Sequence, residues 1–332
     1  MKTRVAIAAV AVCAGSLAVS GSSAFAADPA KFVRIGLLDA SKPLPKRRKN
    51  WGGFEQRMHE LGYIEGRNIA YERRWGNSAR ERLPGLAREL VSAKVDVIVT
   101  AATPAAFAAR RATSTIPIVM ALASGSAVVP SLVKTLPRPG GNVTGVMSYG
   151  QLLTAKRLEL AKEIVPSASR MAILGAKTHA GFAPAVQASR AGAAALGVSL
   201  LTVGVNGVDD LDGAIADMQR SRIQAFVVAP SAIMSASRLR IAELAAKARI
   251  PGILPERYYA EVGGFVSYGS DQIEMFRQAA IFVDKILKGA NPAELPAERA
   301  TRFELVVNLM AARALGISVP RTVLLRADRI IE

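Results

Sequence analysis

The sequence predicts an α/β protein of two lobes, each a doubly wound parallel sheet, joined by hinge strands that cross between them. Three observations carry this prediction. Short apolar segments of strand type alternate with segments of helical period along almost the whole chain, which puts helices on both faces of parallel sheets. Two successive runs of about five strands are present, implying two sheets. A hexad also recurs, as Gly145-Val146-Met147-Ser148-Tyr149-Gly150 and Gly264-Phe265-Val266-Ser267-Tyr268-Gly269. It reads either as a chance echo or as two strands where the chain crosses between lobes, with glycine allowing rotation.

In order, residues 32–38 form a short apolar strand, and Trp51, Phe54, Met58 and Leu61 fall at helical spacing before Gly62. A strand over 69–75, a helix marked by Leu83, Leu86 and Leu90, and a buried-type strand over 95–99 follow. Pro104 suits the first turn of a helix. Pro117 opens a strand over 118–122, and the Pro/Gly stretch 137–141 precedes one over 143–147. The pattern then repeats, with helices over 152–165, 184–196, 239–248 and 273–287, and a stripe of Leu211, Ile215 and Met218. Strands at 171–174, 198–203, 225–228, after Ile250-Pro251, 265–268 and 303–307 separate them, and a helix over 310–315 follows. The expected division is a leader 1–26, a first lobe of 27–148 and 269–292, and a second of 149–268 and 293–332.

The leader is the layout of a secretory signal peptide: Lys2 and Arg4, an apolar run over 5–20, and the small-x-small site Ala24-Phe25-Ala26. A membrane anchor would need about 20 consecutive apolar residues, and this run is broken by glycine and serine. Cys13, the one cysteine, lies inside the leader, so cleavage near Ala26 leaves a chain without thiol chemistry, exported to the periplasm and indifferent to an oxidising compartment. The net charge of +17 falls by two with the leader. Export and the lack of aromatics interleaved with the basic residues argue against nucleic acid as a partner. The charge remains suited to steering anionic ligands or holding the protein near an anionic membrane.

In doubly wound sheets, ligands bind beyond the carboxyl ends of the strands, and two facing lobes put two such edges around one cleft. The edges supply the candidate ligand-binding residues: Thr103, Ser124 and Gly125 from the first lobe, Lys177, Ser231 and Glu256 from the second. Tyr149, Tyr268, Ser270 and Asp271 lie beside the crossings. Ser, Thr and Asp at such places also serve as helix N-caps, and tyrosines there also pack with a satisfied hydroxyl. The run Lys46-Arg47-Arg48-Lys49 reads as a solvated loop, with a ligand grip as the other option. Trp51 and Trp75 read as packing residues.

No enzyme is supported. His59 and His179 are the two histidines, and neither has metal-ligand spacing. The hexads miss the Gly-x-Ser-x-Gly elbow by one residue, and no dinucleotide fingerprint or phosphate loop is present. No catalytic residue, metal or cofactor is expected.

Gly62-Tyr63-Ile64-Glu65-Gly66-Arg67-Asn68-Ile69, Leu83-Pro84-Gly85-Leu86-Ala87, Val95-Asp96-Val97-Ile98-Val99 and Ala112-Thr113-Ser114-Thr115-Ile116-Pro117-Ile118-Val119 resemble a bacterial family of ABC-transporter substrate-binding proteins. Arg138-Pro139-Gly140-Gly141-Asn142-Val143-Thr144-Gly145, Asp284-Lys285-Ile286-Leu287-Lys288-Gly289-Ala290, Phe303-Glu304-Leu305-Val306-Val307-Asn308 and Leu324-Leu325-Arg326-Ala327-Asp328 continue the match. The group includes tryptophan- and tyrosine-binding importers. The resemblance implies a type I periplasmic-binding-protein fold that closes on a small molecule and works with an ABC permease; the expected ligand is an amino acid or small organic anion, and the expected state a monomer. Ser124-Gly125-Ser126 replaces the Asp-Pro pair usual in relatives, and Gly175-Ala176-Lys177-Thr178 replaces an aromatic-Asn-Pro loop, so ligand identity does not carry over. Lys177 and the absent carboxylate suit a more anionic ligand. A periplasmic sensor feeding a membrane receptor is the alternative role, with an exported hydrolase behind it.

Overall fold

The computed structural model describes residues 32–123 and 129–332; the leader with Cys13, and Ser124 and Gly125, lie outside the described residues. The first lobe runs β1 (Val33–Asp39), α1 (Pro45–Glu60), β2 (Ile69–Trp75), α2 (Leu83–Ser92), β3 (Val97–Ala101), α3 (Thr103–Ala112), β4 (Ile118–Ala123), α4 (Val129–Leu132) and β5 (Val143–Met147). The chain then crosses to the second lobe for α5 (Thr154–Ile164), β6 (Arg170–Ala176), α6 (Phe182–Ala195), β7 (Ser199–Val205), α7 (Leu211–Arg220) and β8 (Ala225–Val228). There follow α8 (Ala232–Ala236), α9 (Arg238–Ala248), β9 (Gly252–Leu254), α10 (Arg257–Ala260) and β10 (Val266–Ser270). It returns to the first lobe for α11 (Gln272–Leu287) and β11 (Glu298–Arg299), and crosses a third time into β12 (Phe303–Asn308), α12 (Leu309–Leu315), α13 (Arg321–Leu324) and β13 (Arg329–Ile331).

The described strands form two sheets, ordered β11-β5-β4-β3-β1-β2 and β13-β12-β10-β9-β8-β6-β7. Each is buried on both faces. In the first lobe, Trp51, Phe54 and Met58 of α1 meet Met275, Phe276 and Ala279 of α11 on one side, and Leu83, Leu90 and Ala105 pack on the other. In the second, Leu158 and Ile164 cover one face while Leu211, Met218 and Ile241 cover the opposite one. The repeated hexads occupy equivalent places: β5 and β10 each follow the fourth βα unit of their lobe, and each leads into a crossing.

Some details differ from expectation. One ladder is antiparallel, β10 with β12. The physical reason is connectivity: the chain re-enters the second lobe at the edge where β10 left it, so it runs back along its neighbour. Glu298 and Arg299 pair with Val146 and Met147, so the third crossing comes after Arg299, later than the expected boundary at 292/293. β10 likewise stays in the second sheet through Ser270. The basic run 46–49 is not a loop but the first turn of α1, which Pro45 starts several residues before the apolar stripe; its fixed φ is pre-organised for a first helical turn. The short elements α8, α10, α13, β11 and β13 lack enough residues to show a period.

Candidate functional site

A helix that follows a parallel strand begins at that strand's carboxyl edge, so the first turn of α1 stands at the end of β1, where the lobes face one another. Lys46 Nζ donates to Ser235 Oγ of α8 across 2.7 Å. Ser235 donates in turn to Glu256 Oε2 at 3.3 Å, and Lys46 Nζ lies 3.9 Å from the same oxygen. One turn further, the buried Asn50 accepts a 2.5 Å hydrogen bond from the Tyr258 hydroxyl and donates to Gln272 Oε1 at 3.0 Å. The Lys46 ammonium also sits 5.3 Å from the centre of the Tyr258 ring. Burial lowers the Lys46 pKa, Glu256 opposes that shift, and the charges of Arg238 and Arg47 add to it. Burial likewise pushes the Tyr258 phenol up to about 12. At a second place, burial and the charge of Arg80 in the first lobe lower the pKa of His179 in the second.

The crossings meet around one aromatic cluster. Phe303, from the third, has Tyr149 of the first at 5.3 Å and Tyr268 of the second stacked at 6.0 Å, measured between ring centres. The Arg299 guanidinium lies 5.4 Å from the Tyr149 ring. Ser270 Oγ accepts a long 3.5 Å bond from the Tyr149 amide. Asp271 caps α11 by accepting from the amides of Ile273 and Glu274, with Arg302 Nε 3.9 Å away. Four of the expected residues, Tyr149, Tyr268, Ser270 and Asp271, therefore come together at the crossings.

The others are more dispersed. Thr103 is the first residue of α3, after Ala102 at φ 76°. Ser231 is the N-cap of α8, its hydroxyl accepting from the Met234 amide at 3.2 Å. Glu256 joins the Lys46–Ser235 contact. Lys177 is exposed, and its aliphatic stem lies against Gly204 of β7. Residues not singled out as site candidates carry much of the boundary: Asn50, Ser235, Tyr258 and Phe303.

Two arginines near the carboxyl edges are withdrawn from solvent, Arg47 in large part and Arg157 fully. Arg47 Nη2 donates to Ser41 Oγ at 3.1 Å, and Nε lies 3.2 Å from Asp39 Oδ2. Asp39 itself, 1% exposed, accepts from the Trp51 indole at 2.9 Å and the Ser41 amide at 2.8 Å. In the second lobe, Arg157 of α5 is 1% exposed and donates from Nε to the Tyr268 carbonyl at 2.7 Å. Burial pushes its pKa down to about 10, against the pull of Glu256. A separate depression of about 510 Å³ lies between α1, β1 and β2, with Trp51 and Trp75 in its wall and no second-lobe residue lining it. Among the described residues no group is placed to hold a metal ion, and no helix is long and apolar enough to cross a membrane.

Residues 44–331 match the family described as ABC transporter substrate binding protein. The tyrosine-binding protein of Clostridioides difficile (strain R20291) is 26% identical over 287 residues, which is 86% of this chain and 81% of that protein. An ABC domain from Streptococcus pneumonia, solved in complex with L-Trp, aligns at TM-score 0.81 and 25% identity over 90% of this chain and 99% of that one. A conserved domain protein from Vibrio cholerae O1 biovar El Tor aligns at 0.80 and 27%, over 90% and 100%. The glucose-galactose binding protein of Geobacillus stearothermophilus, at 13% identity and TM-score 0.62 over 83% and 98%, shares the fold alone. The family is one of solute-binding proteins, not enzymes. Two sheets joined by three crossings form a type I periplasmic-binding-protein fold, and with the family match spanning most of its length the chain belongs to the ABC transporter substrate-binding proteins.

Proposed function

We propose that this protein is the periplasmic capture component of an ABC importer, exported by its leader, closing its lobes on an amino acid or small organic anion for delivery to a membrane permease. The observation that carries the reading is the contact of one helical turn with the opposite lobe: Lys46 and Asn50 reach Ser235, Glu256 and Tyr258 directly. Lobes that, among the described residues, meet through three crossings and polar side chains such as these can open and reclose by rotation at those crossings, as hinged domains do. Thr103, Ser231 and Glu256 stand on the edges that then face each other, with Ser124 and Gly125 expected from the adjoining loop. The relatives that hold L-Trp or are named for tyrosine make amino acids the first solutes to try.

Thermal denaturation and small-angle X-ray scattering, with and without L-tryptophan, L-tyrosine, other amino acids, organic acids and sugars, test the proposal. A solute at 100 times its dissociation constant adds about 2.7 kcal/mol to the folded state. A stabilising solute that is recovered unchanged and contracts the particle supports capture. A solute consumed during incubation, or no stabilisation across the panel, overturns it.

A further inference from the structure

Capture, as proposed above, leaves open what the first lobe offers a solute, and the surroundings of Arg47 answer that. Its guanidinium lies where three pieces of the first lobe meet: the end of β1 at Asp39, the first turn of α1, and α11 just past the second crossing, where Phe276 is 6.0 Å away. On either side along α1, Lys46 and Asn50 touch the second lobe. The side chain is only 11% exposed, yet its donors are poorly used. Nη2 has a hydrogen bond to Ser41, and Nε lies 3.2 Å from Asp39 Oδ2 out of line for a hydrogen bond, while Nη1 is enclosed with no partner. Asp39 balances the charge from the Nε side only, and its oxygens also accept from Trp51 and Ser41. Arginine–carboxylate pairs are frequently bidentate, and this one is not.

We infer that Arg47 is the anchor for a carboxylate on the captured solute, held through Nη1 and the second N–H of Nη2, the two nitrogens that Asp39 does not reach. A planar fork of donors matches a carboxylate better than it matches a hydroxyl or an amine. Enclosure matters as well: enclosed N–H groups without acceptors are costly, and an oxyanion arriving before the lobes close would satisfy them where water no longer competes. Surrounding charges agree in sign, since Lys46, Arg47, Arg80 and Arg238 outnumber Asp39 and Glu256 among the groups acting electrostatically at the boundary.

The test is isothermal titration of the wild type, Arg47→Gln and Arg47→Lys with matched pairs. L-tryptophan with L-tryptophanamide probes an amino-acid carboxylate; phenylacetate with phenylacetamide, and succinate with succinamide, probe a simple organic acid. In the pair that binds, the acid is expected to bind more than tenfold tighter than the amide, and Arg47→Gln to lose more than tenfold for the acid alone. Arg47→Lys, which keeps the charge without the fork, is expected to fall between and serves as the test if the glutamine variant does not fold. Undiminished acid binding by the variants, or equal binding of acid and amide, overturns the anchor and leaves capture standing. Binding of glucose or tryptamine with no acid bound does the same. If no probe binds at all, the capture reading fails and the anchor fails with it.

Discussion

Lys46 Nζ, on the first helix of one lobe, donates to Ser235 Oγ on the other across 2.7 Å, and the same hydroxyl is tied to Glu256. These are partly buried groups at the seam between two bodies that the chain connects only through its crossings. Their effect falls on the balance between joined and separated lobes more than on the stability of either lobe. Lys46→Ala removes one charge-assisted hydrogen bond of a partly exposed group, about 1 kcal/mol after solvent screening. The expected outcome is a several-fold weaker solute affinity, a larger radius of gyration without solute, and an unfolding midpoint within a few degrees of wild type. Scattering and titration on the same samples check it; an unchanged radius and affinity would show that the contact does not bias the lobes.

His179 makes the same boundary sensitive to acid. Its pKa is lowered by burial first and by Arg80 second. In the unfolded chain the imidazole protonates near its ordinary value of about 6.5, and in the fold only at lower pH. Above that ordinary value both states are neutral, and the stabilising contribution is complete. As pH falls, the unfolded chain takes the proton first, so the contribution declines from about 6.5 and is gone below the folded pKa. A proton on His179 also sets two cations facing each other across the lobes. Acidification from pH 7 to 5 is therefore expected to lower stability and expand the particle more in the wild type than in His179→Gln. Parallel pH profiles for the two proteins would show equal slopes if His179 had no part in it.

Much of this architecture could be read from the sequence because parallel strands buried on both faces write themselves as plain apolar runs. Ile118 to Ala123 and Met171 to Leu174 show it. The crossings were only partly legible: the recurring hexads mark β5 and β10, but the two-residue β11 gave no sign that the chain stays in the first sheet through Arg299. The seam was harder to read. Lys46 and Arg47 look like a solvated basic run, and only Pro45, a proline placed to start a helix, hints that the run is helical and faces the second lobe. Tyr258 and Phe303 were hidden because an aromatic residue beside a strand signals packing equally well whether its partner is in the same lobe or the other. Ser231 and Asp271 carried the opposite ambiguity: their types announce a helix start, and both hydroxyl and carboxylate are in fact bonded to the amides of the helix they begin.

Phe303 holds the three crossings together through its contacts with Tyr149 and Tyr268. Each aromatic pair contributes about 0.5–1.5 kcal/mol beyond the area it buries. Phe303→Ala is expected to destabilise the protein by about 2–3 kcal/mol, less than a fully enclosed Phe would lose, because this ring is half-buried. Loss of the ring also frees the pivot, so solute association and release should both accelerate. Phe303→Leu restores most of the volume but not the ring pairs, and is expected to recover stability more fully than kinetics. Denaturant titration and stopped-flow fluorescence separate the two effects; equal recovery of both would mean that Phe303 acts through volume alone.

Gly145 belongs to the first of the recurring hexads, and its requirement is steric. It sits in β5 at φ 122°, and a Cβ there would collide with the backbone nitrogen and oxygen of Met120 on β4. The register between these strands shifts just beyond that point, between Met120 and Ala123. An alanine must bear an unfavourable φ of about 1–2 kcal/mol and must also push the strands apart, which adds about 1–3 kcal/mol in a packed core. Gly145→Ala is thus expected to cost about 2–5 kcal/mol in urea unfolding. Because the displaced strand ends beside residues 124–128, the variant should also weaken solute binding under conditions where it remains folded. Its counterpart Gly264 has no positive φ, but a Cβ there would meet the Tyr259 carbonyl, so Gly264→Ala is expected to strain the second lobe by overpacking alone and to cost less. A Gly145→Ala variant no less stable than Gly264→Ala would contradict the assignment of the first glycine to backbone conformation.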